Sequence, residues 1–195
     1  MALRFKREAR KHYAKDCDHE LDMNTDPKKI VFIQHAQGLG GSAVSLCYTI
    51  KKLPPDRYHA VVAMAKPTQR IACFYHEAGI ESVSYPGLPF FEHTTASHAS
   101  WRYPFVCRNL LSTLLQGKKH HRRVMALVES LQPDLVYLNS VVLLPVARIL
   151  EQEKIPFIVH VRESPIHGNL GLRYGWMKKI LRRNAPRCIF LSHAD

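Results

Sequence analysis

Gly38-Leu39-Gly40-Gly41-Ser42-Ala43 stands between an apolar run, Ile30–His35, and a segment with helical periodicity. It fits the pattern G-x-G-x-x-G/A in the setting where that pattern has meaning. Glycine there lets the backbone turn sharply and approach a ligand. The amino end of the helix that follows carries free N–H groups suited to an anion. A dinucleotide reading needs an acidic residue after the next apolar run, to hold a ribose hydroxyl. His59–Ala65 is followed instead by Lys66, which leaves room only for a 2′-phosphate, as in an NADP-dependent reductase. The plainer alternative is that these glycines do no more than make a tight turn.

Other polar groups stand at the ends of apolar runs. His35 closes the first run, Asn139 and Ser140 follow DLVYL, and His160-Val161-Arg162-Glu163 ends PFIVHV. Such positions matter in an α/β chain, because ligands collect beyond the carboxyl ends of parallel strands. Polar groups at strand ends also satisfy backbone atoms, which is the duller use of His35 and Asn139. His12, His19, His93, His98, His120 and His121 read as solvated. The five cysteines, Cys17, Cys47, Cys73, Cys107 and Cys188, are scattered, without a CxxC or a Cys/His pair at zinc spacing. Neither a disulfide framework nor a metal site is expected, and a cytoplasmic setting or the cytoplasmic face of a membrane fits.

The elements that must position these groups follow from periodicity. Ile30–His35, His59–Ala65, Glu81–Tyr85, Asp134–Asn139, Pro156–Val161 and Arg187–Ser192 read as strands. Helices are expected after the glycine turn, with Ser42 placed to cap the first one and Ala43, Leu46, Cys47, Ile50 and Leu53 on one face. Further helices are expected over Gln69–Ala78, over Tyr103–Leu115, from after GKKHHRR to Leu131, over Val141–Glu153 and over Leu172–Asn184. Strands alternating with helices through short links imply an α/β fold, a doubly wound, mostly parallel sheet in three α/β/α layers. Residues 1–28 read as a poorly ordered tail of mixed charge, and residues 29–195 as one Rossmann-like domain.

The formal charge is +12, and its placement is informative. Arg102–Arg123 holds six Lys/Arg and no acid, and Arg173–Arg187 holds six more, again without an acid. Blocks of this kind suit an anionic partner. Phe90–Arg123 combines aromatics (Phe90, Phe91, Trp101, Tyr103, Phe105) with an apolar stripe and the trailing KKHHRR. That composition suits contact with an anionic membrane surface as well as a stripe packed on the sheet. Nucleic acid fits less well, because the aromatics are not arrayed as stacking platforms. No stretch reaches the roughly 18 apolar residues of a membrane span.

The segment KKIVFIQHAQGLGGSAVSLCYTIKKL resembles the opening of family-four glycosyltransferases, enzymes of the GT-B fold. HEAGIESVSY, QPDLVYLNSVVLLPVARILEQEKIPFIVHVRE and NAPRCIFLSHAD resemble later elements of that family, in order, so that the likeness runs from Lys29 to Asp195. Ser42-Ala43-Val44 departs from it, standing where the family usually places an acid. The resemblance implies the acceptor-side half of a retaining glycosyltransferase, with the carboxy-terminal donor-binding domain absent and little activity alone. The reaction implied moves a sugar from a nucleotide diphosphate sugar, as co-substrate, to a carbohydrate or lipid-linked acceptor, without an obligatory metal or other cofactor. It places Gly38, Gly40, Gly41 and Ser42 near the donor phosphates, His160 and Glu163 at the transferred sugar, and His35, Asn139, Ser140 and Arg162 around the acceptor. A lone, non-catalytic binding domain is the remaining alternative.

Overall fold

The computed structural model describes residues 26–36, 38–90, 117–162 and 172–190. Six strands form one sheet: β1 (Lys28–Gln34), β2 (Tyr58–Met64), β3 (Glu81–Ser84), β4 (Leu135–Leu138), β5 (Phe157–Val161) and β6 (Cys188–Phe190). Every pairing is parallel, and the order is β3-β2-β1-β4-β5-β6. A parallel sheet needs helices on both faces, which is why its strands read as unbroken apolar runs. Alternation along β1 shows the consequence. Val31 and Ile33 enter one core with Val61, Ala63, Val136, Leu138, Val159 and Val161. Ile30 and Phe32 enter the other, with Val62, Met64 and Tyr137.

Helices α1 (Gly41–Lys51) and α2 (Gln69–Glu77) cover the second of these faces. In α1 the buried residues Ala43, Leu46, Cys47 and Ile50 recur at helical spacing. Helix α2 begins at Thr68, whose hydroxyl accepts the Ile71 N–H. It closes at Gly79, whose φ of +72° is costly for any residue with a Cβ. Helices α3 (Gly117–Leu131), α4 (Leu144–Gln152) and α5 (Leu172–Arg183) cover the other face through Val124, Leu127, Val146, Leu150, Met177 and Leu181. The architecture is therefore three-layered and doubly wound, as expected.

Several boundaries differ from the sequence reading. β1 starts at Lys28, inside the segment expected to be tail, because Lys28 continues the ladder opposite Tyr58. Ser42 does not cap α1: the cap is Gly40, which makes no side-chain bond. The run KKHHRR lies inside α3 rather than before it, since nothing in it breaks a helix and Lys and Arg favour one. Val141–Leu143 is a 3-10 turn, after which α4 begins with Pro145 in its first turn. Residues 1–25, the expected helix over Tyr103–Leu115, Glu163 and the end of the last strand lie outside the described residues.

Candidate functional site

In this strand order the winding reverses between β1 and β4, the point at which sheets of this kind form a ligand crevice beyond the carboxyl ends of their strands. Three polar residues meet at that point. Ile33 is in register with Leu138, and Leu138 with Val159. The next residues along, Gln34, Asn139 and His160, are therefore neighbours at three adjacent strand tips, on the face that carries α1. Gln34 and Asn139 are fully buried and His160 is 8% exposed.

Burial of two amides is tolerable only if their hydrogen bonds are made, and here they are. Asn139 Nδ2 donates to Gln34 Oε1 at 2.5 Å and to the Ser42 carbonyl oxygen at 3.3 Å. Gln34 Nε2 reaches the Ser42 hydroxyl at 3.5 Å. Asn139 Oδ1 accepts from Arg162 Nε at 2.8 Å. One side chain, Asn139, thus ties the first turn of α1 to the guanidinium that follows β5. Gly40 and Gly41 are exposed at the amino end of this helix, where the Gly40 N–H is given to the Gly38 carbonyl and those of Gly41 and Ser42 have no intrahelical partner. A helix amino terminus and a fixed guanidinium side by side form an arrangement for a phosphate or diphosphate.

The glycines themselves are not demanded by the chain's own packing. Among the described glycines only Gly79 and Gly87 have positive φ. A Cβ built on Gly38, Gly40 or Gly41 would meet no atom of the described residues within 4 Å. Their missing side chains leave open space in front of α1.

His160 adds a second feature. Its Nδ1 lies 2.6 Å from the Tyr137 hydroxyl, and the two rings meet edge to face with centroids 5.9 Å apart. Burial, and next the neighbouring Arg162 charge, lower the His160 pKa from 6.5 to about 4, so the ring is neutral at pH 7. Burial also raises the Tyr137 phenol above its ordinary range, with Arg162 opposing.

The expected site residues do not all converge. Gly38, Gly40, Gly41, Ser42, Asn139, His160 and Arg162 gather around the crevice. His35 does not join them, because it follows Val31 and Ile33 on the opposite face. There its ring is 6.4 Å from that of Phe90, and its buried Nδ1 has no hydrogen-bond partner among the described residues. Burial, then the Lys66 charge, lower its pKa to about 4. Ser140 is fully buried and caps the 3-10 turn, accepting the Val142 N–H at 3.2 Å. Phe90, one of the aromatics whose composition suits either a membrane surface or the sheet, packs on the core, with Lys66 Nζ 4.4 Å from its ring centroid. Gln34 and Tyr137 were missed. Gln34 reads as the last residue of an apolar run, and Tyr137 as one more strand aromatic. Only strand pairing puts them beside Asn139 and His160.

No protein-family model and no curated protein matches the chain. Among solved structures, it is similar in fold to parts of several chains. The glycotransferase of kitacinnamycin matches at 16% identity and a TM-score of 0.46, over 83% of this chain and 34% of that one. CalG4, the calicheamicin glycosyltransferase, matches at 15% identity and a TM-score of 0.44, over 83% and 38%. A UDP-N-acetylglucosamine 2-epimerase matches at 12% identity and a TM-score of 0.46, over 86% and 42%. The chain thus spans well under half the length of these proteins.

Proposed function

We propose that this domain is the acceptor-side half of a sugar transferase that uses a nucleoside diphosphate sugar. The reading rests on the site's own geometry. The observation that carries it is the Asn139 side chain, which holds the first turn of α1 and the Arg162 guanidinium against each other at the mouth of the crevice. Such a pair meets the charge that grows on a departing diphosphate, and open space before Gly40 and Gly41 lets that group come close. A donor-binding domain would carry the nucleoside and close over this side. The transferred sugar would then lie near His160 and Glu163. The finer reading is retention at the anomeric carbon and a carbohydrate or lipid-linked acceptor.

Titration of inorganic pyrophosphate into the 15N-labelled chain tests the anion site. The Gly40, Gly41 and Ser42 amides should shift, and Arg162→Met should weaken binding. A hydrogen bond to a charged group is worth about 1.5–3 kcal/mol, which corresponds to roughly tenfold to a hundredfold. Unmoved Gly40–Ser42 amides would overturn the reading. In a chain carrying both halves, His160→Ala should abolish transfer, and full turnover would remove that residue from the mechanism.

A second reading has its own support. The order β3-β2-β1-β4-β5-β6 with a G-x-G-x-x-A turn is also that of dinucleotide-binding domains. Saturable micromolar binding of NADPH would replace sugar transfer with this alternative.

A further inference from the structure

The Tyr137–His160 contact settles a point that neither residue type decides alone. An imidazole has two neutral tautomers, and which one forms is set by the partner of its other nitrogen. Tyr137 is 7% exposed, and the hydrogen bond it makes among the described residues is the one to His160 Nδ1. If Nδ1 carried the proton, the phenol oxygen would accept it. The phenol O–H would then be buried with no acceptor, at a cost of about 1–3 kcal/mol. If the phenol donates, both groups are satisfied. The edge-to-face packing of the rings, at 88°, holds the imidazole in that orientation.

We infer that Tyr137 is a positioning residue that fixes His160 as the Nε2–H tautomer, so that the crevice receives a neutral hydrogen-bond donor rather than a general base. His160 retains 8% exposure, and no described residue hydrogen-bonds to its Nε2. The N–H is therefore left for a ligand oxygen, such as a sugar hydroxyl or a ring or glycosidic oxygen. The identity of that ligand rests on the sugar-transfer reading, but the tautomer does not. The charged and titratable neighbours support a neutral ring: Tyr137 from β4, and Arg162 from the end of its own strand, whose positive charge disfavours a second one.

Long-range 1H–15N correlation spectra of the histidine side chains test this on the ligand-free chain. At pH 7 the His160 ring should show a protonated Nε2 and an unprotonated Nδ1. Tyr137→Phe, with backbone amide shifts elsewhere retained, should lose that preference and populate both tautomers. A protonated Nδ1 in the wild-type chain would overturn the inference, whether or not Tyr137→Phe folds. An unchanged tautomer in a folded Tyr137→Phe would overturn it too. No sugar nucleotide enters the measurement, so this failure is separate from failure of the transfer reading. A chain with the expected tautomer that ignores pyrophosphate would retain the device and lose only the substrate class.

Discussion

Asn139 accepts a hydrogen bond from Arg162 Nε at 2.8 Å while its own amide nitrogen is shared between Gln34 and the carbonyl oxygen of Ser42. Strand tips and a helix amino end are thereby locked together by one buried amide. Asn139→Ala should leave the buried Gln34 Oε1 without its donor, costing about 1–3 kcal/mol, and remove the acceptor that orients Arg162 Nε. Urea unfolding should show a lower midpoint at unchanged slope. A double-mutant cycle with Gln34→Ala should give a coupling of about 0.5–3 kcal/mol, and additive losses would mean that the short contact contributes nothing.

Much of the fold can be read from the chain because a parallel sheet writes itself plainly. IVFI, AVVAM, LVYL and FIV are apolar at every step, since both faces of those strands are covered. What could not be read is lateral. His35 and His160 both end apolar runs, yet pleat parity puts them on opposite faces of the sheet. Gln34 and Asn139, 105 positions apart, meet because β1 and β4 are neighbours at the switch point. Ser42 looked like a cap because serine commonly is one. Gly40 takes the cap position instead, and Ser42 lies one turn-step inside the helix facing Gln34.

Arg162→Lys should not rescue anion binding. The guanidinium is a planar fork that Asn139 orients through Nε, whereas an ammonium is a single point on a flexible stem. Pyrophosphate affinity in Arg162→Lys should fall nearly as far as in Arg162→Met. Affinity equal to wild type would show that net charge, not the fork geometry, is what the site uses.

The pH dependence of stability has a definite sign. The folded pKa of His160 lies below the unfolded value of 6.5, at about 4. Between these values the unfolded chain binds more protons, so stability rises with pH. The contribution is fully present above about pH 6.5 and is lost as pH falls toward 4. A shift of that size corresponds to about 3 kcal/mol as an upper figure. His35 acts in the same direction through the same window. Urea midpoints measured from pH 7 to pH 4 should fall steeply for wild type and less steeply for His160→Gln. Parallel curves would mean that His160 titrates normally in the folded state.

The glycine turn offers the sharpest separation between holding the fold and serving a ligand. Gly41 is the first residue of α1, has no positive φ, and among the described residues faces no atom that a methyl group would strike. Alanine loses less chain entropy in a helix than glycine does, by roughly 0.5–1 kcal/mol in a helix interior and less at its first turn. Gly41→Ala should therefore leave thermal unfolding unchanged or slightly raised, and Gly40→Ala, at the cap position where glycine is preferred to alanine, should lower it only slightly. The added methyl groups, however, would stand in the open space before the helix amino end, where a diphosphate must approach the N–H groups. Pyrophosphate binding should drop at least tenfold in each variant while the Tm barely moves. Gly79→Ala is the opposite control: its φ of +72° makes a Cβ strained, so stability should fall while binding by the folded fraction is kept. If Gly40→Ala and Gly41→Ala bind as wild type does, the glycines serve only the turn, and the open space before α1 holds no ligand.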